Sequence, residues 1–207
     1  MKPRTDYAKI KEHFSVADPK ILTVLETVDL ADWFEDKSSD DHFFNLAREI
    51  IYQQLAGSAT NAIFSRFEKL VGGKVKPEEI IKFEDQSFRD VGLSFAKAKY
   101  MKDLASKVIS GKVVLTNLDE KSDEEVIDEL TKVKGIGRWT AEMFLIFTLH
   151  RENIFSHTDL GLRKGFAKLY AVANPTHDQI ESIVSLWSPY KSYGSISLWH
   201  YLDSTKK

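Results

Sequence analysis

The sequence predicts an all-α protein, and three observations support that fold class. Apolar residues recur with the period of a helix, helix-capping residues precede many of these stretches, and strand patterns are sparse. With 207 residues, 43% of them hydrophobic, the chain can bury a core as one domain or as two small lobes. We therefore expect about ten helices joined by short connections.

Capping residues locate most of the predicted helices. Asp18-Pro19 is typical of an N-cap with proline at the first helical position. The stretches Ser122–Glu125 and Thr176–Gln179 have the pattern of capping boxes. The other helices are predicted over residues 41–55, over 59–71 after a Ser58 cap, over 139–149, and onward from Lys76-Pro77, Ser94, Leu160 and Ser188-Pro189. A solvated lysine face is expected on the helix after Ser94, formed by Lys97, Lys99, Lys102 and Lys107.

Composition excludes several kinds of site. The chain has no cysteine, which rules out disulfides, a thiol nucleophile and an iron–sulfur cluster. Its six histidines lack the spacing of a zinc protease site. The N-terminus has no apolar signal core and no apolar run is long enough to span a membrane, so we expect a protein inside the cell. A net charge of −2 gives no indication of nucleic-acid binding, which would need a local cationic face or backbone groups.

The most informative segment is Leu130–Met143, which contains the turn Val-Lys-Gly-Ile-Gly. One capped helix is predicted to end before the turn and a second to start near Arg138. Gly135 and Gly137 allow positive φ, and the free amides that begin the second helix can bind a phosphate. Lys134 and Arg138 would add screened attraction. An ordinary helical hairpin with glycine as its stop signal is the alternative interpretation.

This segment resembles the helix-hairpin-helix element, and three further stretches extend the resemblance. Residues 154–165, Ile-Phe-Ser-His-Thr-Asp-Leu-Gly-Leu-Arg-Lys-Gly, are similar to the aspartate-bearing segment of the helix-hairpin-helix (HhH-GPD) DNA glycosylases, whose members include DNA-3-methyladenine glycosylase II. Residues 49–59 resemble that family's first cleft helix and its Gln-Gln turn. Residues 187–199 resemble the C-terminal segment of its alkylation-specific branch.

The resemblance implies two helical lobes with a cleft between them. The central lobe would span residues 42–151, with the helix-hairpin-helix at about 123–149, and residues 1–41 with 152–207 would form the second lobe. The implied function is base excision repair by a monomeric DNA glycosylase. It would bind double-stranded DNA, rotate an alkylated base such as 3-methyladenine out of the duplex and hydrolyse its N-glycosidic bond. No membrane partner and no catalytic cofactor are expected.

Asp159 occupies the place of the family's invariant aspartate, so the resemblance implies that it is the catalytic carboxylate. The transition state carries oxocarbenium character on the sugar, which a fixed carboxylate stabilises. As the predicted N-cap of the helix from Leu160, Asp159 stands where a helix stabilises negative charge. A purely structural cap is the alternative, although the two roles are compatible.

Strand-cleaving members of the family carry a Schiff-base lysine two residues after the second hairpin glycine. Here Gly137 is followed by Arg138 and Trp139, so the resemblance implies monofunctional hydrolysis without lyase activity. Trp139 suits a cationic base through stacking and cation–π attraction of roughly 0.5–2 kcal/mol. Trp199 and Met143 are assigned to the same base pocket. Core packing is the alternative for all three.

The resemblance also assigns DNA contacts and a cation site. Gln54 stands where the family places a wedge in the gap left by the flipped base, with a solvated helix end as the alternative. The DNA-backbone contacts are assigned to Gly135, Gly137, Thr140, Lys134 and Arg138. A monovalent cation, Na⁺ or K⁺, would be held by the main-chain carbonyls of Thr131, Val133 and Ile136.

Two other functions stay open at this point. The chain could be a non-catalytic helix-hairpin-helix protein that only grips the DNA backbone, or a glycosylase for a mismatched or oxidised base. The missing lysine and the missing cluster cysteines count against the endonuclease III and oxoguanine branches. The range of excised bases, among 3-methyladenine, 7-methylguanine, ethenoadenine and hypoxanthine, also stays open.

Overall fold

A computed structural model describes residues 6–30, 41–53 and 58–205. Within these ranges the chain forms twelve α-helices, two short 3-10 helices and no strand, which confirms the all-α prediction. The α-helices are α1 (Tyr7–Ala17), α2 (Pro19–Leu25), α3 (His42–Tyr52), α4 (Ser58–Leu70), α5 (Pro77–Ile80), α6 (Asp85–Asp90), α7 (Phe95–Ile109), α8 (Asp123–Thr131), α9 (Arg138–Phe147), α10 (Leu160–Tyr170), α11 (His177–Val184) and α12 (Lys191–Ser204). The 3-10 helices are Leu118–Glu120 and Ser185–Trp187.

The chain divides into two compact units. The terminal unit consists of the described residues of Met1–Lys37 and His150–Lys207, and it contains α1, α2 and α10 to α12. The central unit consists of the described residues of Ser38–Leu149 and contains α3 to α9. No helix within the described ranges is both long and apolar enough to cross a membrane.

Side-chain caps form at the predicted starts that Asp18, Ser122 and Thr176 mark. Asp18 Oδ1 accepts hydrogen bonds from the backbone amides of Lys20 and Ile21. Ser122 and Thr176 each head a complete capping box. Because each cap pairs an amide that the helix itself leaves without an acceptor, it stabilises its helix by about 0.5–2 kcal/mol.

Several helix ends differ from the prediction by one to three residues. The helix from Asp41 ends at Tyr52, because Gln53 leaves the helical conformation with ψ 130°. The next helix begins at Ser58 itself. The last begins at Lys191 rather than at Ser188-Pro189, because the Tyr190 amide donates to the Trp187 carbonyl at 2.7 Å and closes a turn there. The short α6 was not predicted, since it has no side-chain cap to signal its start.

The predicted solvated lysine face of α7 is wrong for three of its four lysines. Lys97 and Lys107 donate to backbone carbonyls, and Lys102 pairs with Asp85 at 2.6 Å. Of the four, only Lys99 is exposed. The reason is that neighbouring segments pack close to α7, so that Lys97 reaches the end of α3, Lys102 reaches α6 and Lys107 reaches the main chain of Lys132.

Close packing of α10 against α12 organises the terminal unit. A Cβ on Gly165 would lie 2.7 Å from the Leu198 carbonyl oxygen, so glycine is needed for this approach. Asp18 is buried and accepts hydrogen bonds from Trp187 Nε1 at 2.8 Å and from the Tyr170 hydroxyl. Burial and the Asp18 carboxylate raise the pKa of Tyr170. This network anchors the C-terminal end of α10 to the start of α2.

Candidate functional site

Asp159 is the N-cap of α10, as predicted, and only 8% of it is exposed. Its Oδ1 accepts a hydrogen bond from the Leu162 amide at 2.7 Å. The unpaired amides of the first helical turn carry partial positive charge, which stabilises a carboxylate at this position. The cap interpretation is therefore confirmed, and it holds the carboxylate in one orientation.

Trp199 reaches the same carboxylate oxygen from α12. Its Nε1 donates to Asp159 Oδ1 at 3.0 Å, and the ring is half-buried. Gly161 makes room for this contact, since a Cβ there would lie 3.1 Å from both Asp159 Oδ1 and Trp199 Nε1. The assignment of Trp199 to a base pocket stays a prediction, and the structure adds an indole N–H that orients the candidate catalytic group.

Sequence reasoning missed Gly161 and Gly165. A signal was available, because two glycines four residues apart interrupt a helical pattern at a cost of about 1 kcal/mol each relative to alanine. Glycines inside a helix commonly have a packing reason. Here one admits a tryptophan to the carboxylate and the other admits a neighbouring backbone.

His157 lies two residues before Asp159 and belongs to a small titratable cluster. Its ring stacks on His177 with centroids 4.3 Å apart, and its Nε2 is 3.0 Å from Glu181 Oε2. Burial, reinforced by the charge of His177, lowers the pKa of His157 against the opposing effect of Glu181.

In the central unit, residues 132–137 join α8 to α9 as a hairpin. Gly135 has φ +87°, and a Cβ there would lie 2.2 Å from the Tyr100 ring, so this position requires glycine. Gly137 does not use the positive φ that a glycine allows, since its backbone is extended with φ −96°. Gly137 instead leaves open space, with nothing within 4 Å of where its Cβ would stand.

The hairpin presents backbone amides that lack acceptors. In the part of the chain that the structure describes, the amides of Gly135 and Gly137 donate to no protein oxygen. Gly137 is the N-cap of α9 without a side-chain cap, and Thr140 lies in the first turn, whose amides have no intrahelical acceptor. Together with the positive end of the helix dipole, this arrangement can bind an anion such as a phosphate.

Two charged side chains were assigned to the same anion, and the structure treats them differently. Lys134 is exposed beside the turn. Arg138 Nη2 and Nη1 contact the Glu124 carboxylate at 2.5 and 2.9 Å, and its Nε contacts Glu142 at 3.1 Å. The hydrogen bond to Glu124 raises the pKa of Arg138 above its already high value. Its guanidinium is therefore engaged by two carboxylates.

The residues assigned to a base pocket lie in different environments. Trp139 stands in the first turn of α9 and is 39% exposed, which leaves ring surface for stacking. Met143, one turn further, is 5% exposed, which favours core packing. The wedge residue Gln54 lies outside the described residues.

The hairpin also contains the carbonyls assigned to a cation. Val133 and Ile136 are buried and Thr131 ends α8. The Val133 carbonyl accepts the Ile136 amide at 3.1 Å and keeps a second lone pair for an ion. Neutral backbone oxygens are ligands that Na⁺ and K⁺ accept, so these residues fit a monovalent cation.

Comparisons with known proteins find a matching family model and similar proteins of known structure. The family model described as "HhH-GPD superfamily base excision DNA repair protein" matches residues 47–189. The chain is 32% identical to "DNA-3-methyladenine glycosylase 1" of Schizosaccharomyces pombe, over 94% of this chain and 87% of that protein. Among solved structures it is similar to a DNA-3-methyladenine glycosidase from Bacillus halodurans, with a TM-score of 0.80 and 31% identity over 98% of this chain and 92% of that one. It is also similar to S. pombe 3-methyladenine DNA glycosylase (Mag1) in complex with abasic DNA, with a TM-score of 0.80 and 29% identity over 96% and 97%.

Proposed function

Because the chain belongs to the HhH-GPD superfamily of base excision DNA repair proteins, we propose that it is a monofunctional DNA glycosylase that removes alkylated bases such as 3-methyladenine. The observation that carries the proposal is the Asp159 carboxylate, which the Leu162 amide and the Trp199 indole hold at the start of α10. Relatives named 3-methyladenine glycosylases support the substrate class.

The chemistry follows from the charge of an alkylated base. An N-alkylated purine is cationic, so it leaves as a neutral base and needs little acid catalysis. Positive charge then builds on the sugar, and the fixed Asp159 carboxylate stabilises it while a water molecule attacks the anomeric carbon. No lysine stands two residues after Gly137, so no Schiff base forms and the product is an intact abasic strand.

DNA binding would use the hairpin. The amides of Gly135, Gly137 and Thr140 would contact a backbone phosphate of double-stranded DNA, with Lys134 adding long-range attraction. Trp139 would stack on the extruded base. Na⁺ or K⁺ on the carbonyls of the hairpin would add positive charge beside the phosphate, and no cofactor is needed for the chemistry. The protein would act as a monomer inside the cell, where the DNA is.

The decisive experiment is Asp159→Asn, assayed on methylated duplex DNA. Asparagine also caps helices and can accept both hydrogen bonds, so folding is preserved while the charge is removed. We expect base release to fall by at least about 10²-fold with DNA binding retained. Asp178→Asn is the matched control, since it removes the charge of an exposed aspartate in the first turn of α11.

Each alternative predicts a different result. If wild-type protein binds methylated DNA but releases no base, the chain is a DNA-binding module. If it releases oxidised or mismatched bases instead, the substrate class is wrong. Cleavage at the abasic site by wild-type protein would contradict the monofunctional mechanism.

A further inference from the structure

One face of α7 supports both the hairpin and the end of α3 within the central unit. Its residues Lys97, Tyr100, Asp103 and Lys107 each contact one of those segments. Their spacing of three, three and four residues puts them on one side of the helix. The contacts run to backbone groups or to a glycine, so they constrain the path of the chain itself.

Lys97 closes the C-terminal end of α3. Its Nζ donates to the carbonyl oxygens of Ile51 and Gln53, both at 2.7 Å. The last carbonyls of a helix lack helical partners, and a cation there is favourable. Burial lowers the pKa of Lys97, as expected for an ammonium directed at the backbone rather than at water. Lys97 therefore fixes the position of the Gln53 main chain.

The side chain of Gln53 connects this point to the hairpin. Its Nε2 donates to the Gly135 carbonyl at 3.0 Å and to Thr140 Oγ1 at 3.1 Å. A carbonyl can only accept, so the amide NH₂ of Gln53 must face Gly135. One side chain thus holds both the turn and the first turn of α9, the two places that carry the candidate phosphate donors.

The other residues of this face hold the hairpin from the α7 side. The Tyr100 ring packs under Gly135, and Asp103 Oδ2 accepts the Lys134 amide at 2.7 Å. Lys107 Nζ donates to Asp103 at 2.7 Å and to the Lys132 carbonyl at 2.6 Å. These contacts restrain the main chain of the hairpin and leave only its side at Gly137 open.

We propose that Gln53 and Lys97 are positioning residues for DNA binding, which hold the hairpin in the conformation that presents its amides to a phosphate. A turn with two glycines is costly to order, at roughly 1–2 kcal/mol per residue. Hydrogen bonds that are formed before DNA binds remove this ordering cost from the free energy of binding. The inference rests on the proposed function only in that the hairpin binds DNA, and base excision is not required.

The test measures the affinity for a short undamaged duplex across a range of salt concentrations. Gln53→Leu keeps the size of the side chain but removes its donors, and neither Gln53 nor Leu is charged. We expect affinity to fall by about tenfold at every salt concentration, the effect of roughly two net hydrogen bonds. The slope of log affinity against log salt should stay unchanged, whereas losing one phosphate-binding cation changes it by about 0.9.

Controls separate positioning from folding and from direct contact. Gln86→Leu is the matched control, since Gln86 donates to Asp90 at 2.8 Å on the exposed surface of the same unit, and it should bind like wild type. Lys97→Met should reproduce the Gln53→Leu loss with an unchanged salt slope, although it removes a cation. Lys97→Arg should restore affinity. Thermal unfolding of each variant shows that it is folded at the assay temperature.

The outcomes are decisive in either direction. Wild-type affinity in Gln53→Leu overturns the proposal, and so does a salt slope that falls by about one in Lys97→Met, which would make Lys97 a phosphate contact. If Gln53→Leu does not fold, the Lys97→Met and Lys97→Arg pair decides. If Gln53→Leu loses base release but binds undamaged DNA with normal affinity, this inference is refuted and the proposed function of the wild-type protein is intact. The two failures are therefore distinguishable.

Discussion

Replacing Gly161 and Gly165 by alanine separates the two roles of α10, which packs against α12 at Gly165 and holds the Asp159–Trp199 contact at Gly161. Both glycines lie in the helix, where alanine is favoured by about 1 kcal/mol, so any loss must come from the new methyl group. At Gly165 that methyl would lie 2.7 Å from the Leu198 carbonyl oxygen, and backbone cannot swing away. At Gly161 it would lie 3.1 Å from the ends of two side chains, Asp159 and Trp199, which can move.

The magnitudes follow from these contacts. Overpacking costs about 1–3 kcal/mol, and the helix gain offsets about 1 kcal/mol of it. Gly165→Ala should therefore destabilise the protein by up to about 2 kcal/mol, or lower its melting temperature by up to about 8 °C. Its base release at a permissive temperature should be near normal. Gly161→Ala should change stability by less than about 1 kcal/mol. It should nevertheless slow base release by about tenfold, because the atoms displaced are the candidate catalytic carboxylate and its donor.

The assays are urea unfolding followed by circular dichroism and single-turnover release of 3-methyladenine. Each variant is the control for the other, since the chemical change is the same and only the neighbouring atoms differ. Higher stability in Gly165→Ala than in wild type would show that the helix contact is not tight. Full activity in Gly161→Ala would refute the view that the Asp159–Trp199 contact needs this clearance.

Two further predictions concern charge. Glu124→Gln should release Arg138 toward DNA, which should raise the affinity for DNA about two- to fivefold and steepen the salt slope by up to about 0.9. Glu120→Gln makes the same charge change and should leave affinity and slope unchanged. Equal effects of the two substitutions would mean that only net charge matters. For His157, burial and the charge of His177 lower the folded-state pKa, so the unfolded chain binds the proton more readily. Stability should therefore be complete above about pH 6.5 and decrease as pH falls through the folded pKa, by less than about 1.4 kcal/mol per pH unit. Unfolding free energies measured across that range should depend less on pH in His157→Gln, and an unchanged slope would contradict the argument.

Local signals explain what the sequence predicted well. Capping boxes such as Ser122–Glu125 involve residues three apart, so their chemistry can be seen in the sequence. The Asp159 cap and the Gly135 turn were predicted for the same reason. The contacts that hold the candidate site are not local, since Gln53 bonds a carbonyl 82 residues away and Trp199 bonds a carboxylate 40 residues away. Only the fold brings such pairs together.

Charge partners were the second limit of sequence analysis. In the sequence Lys97 and Arg138 are both cations on predicted helices, Lys97 on an expected solvated face and Arg138 beside the predicted hairpin. The structure turns Lys97 toward two carbonyls and Arg138 toward two carboxylates. Counting cations near a motif therefore overestimates the positive charge available to DNA, because a cation that is already bonded to carbonyls or carboxylates of the protein attracts phosphate less.

Backbone amides explain how a chain of net charge −2 can bind a polyanion such as DNA. If cationic side chains did the work, each contact would release a counterion and affinity would fall steeply with salt. Backbone amides at Gly135, Gly137 and Thr140 carry no net charge and release few counterions. They need a rigid turn instead, because a loose amide gains nothing over water. A shallow salt dependence together with a strong dependence on Gln53 and Lys97 is therefore what this architecture predicts, and a steep dependence would mean that side-chain cations carry the binding.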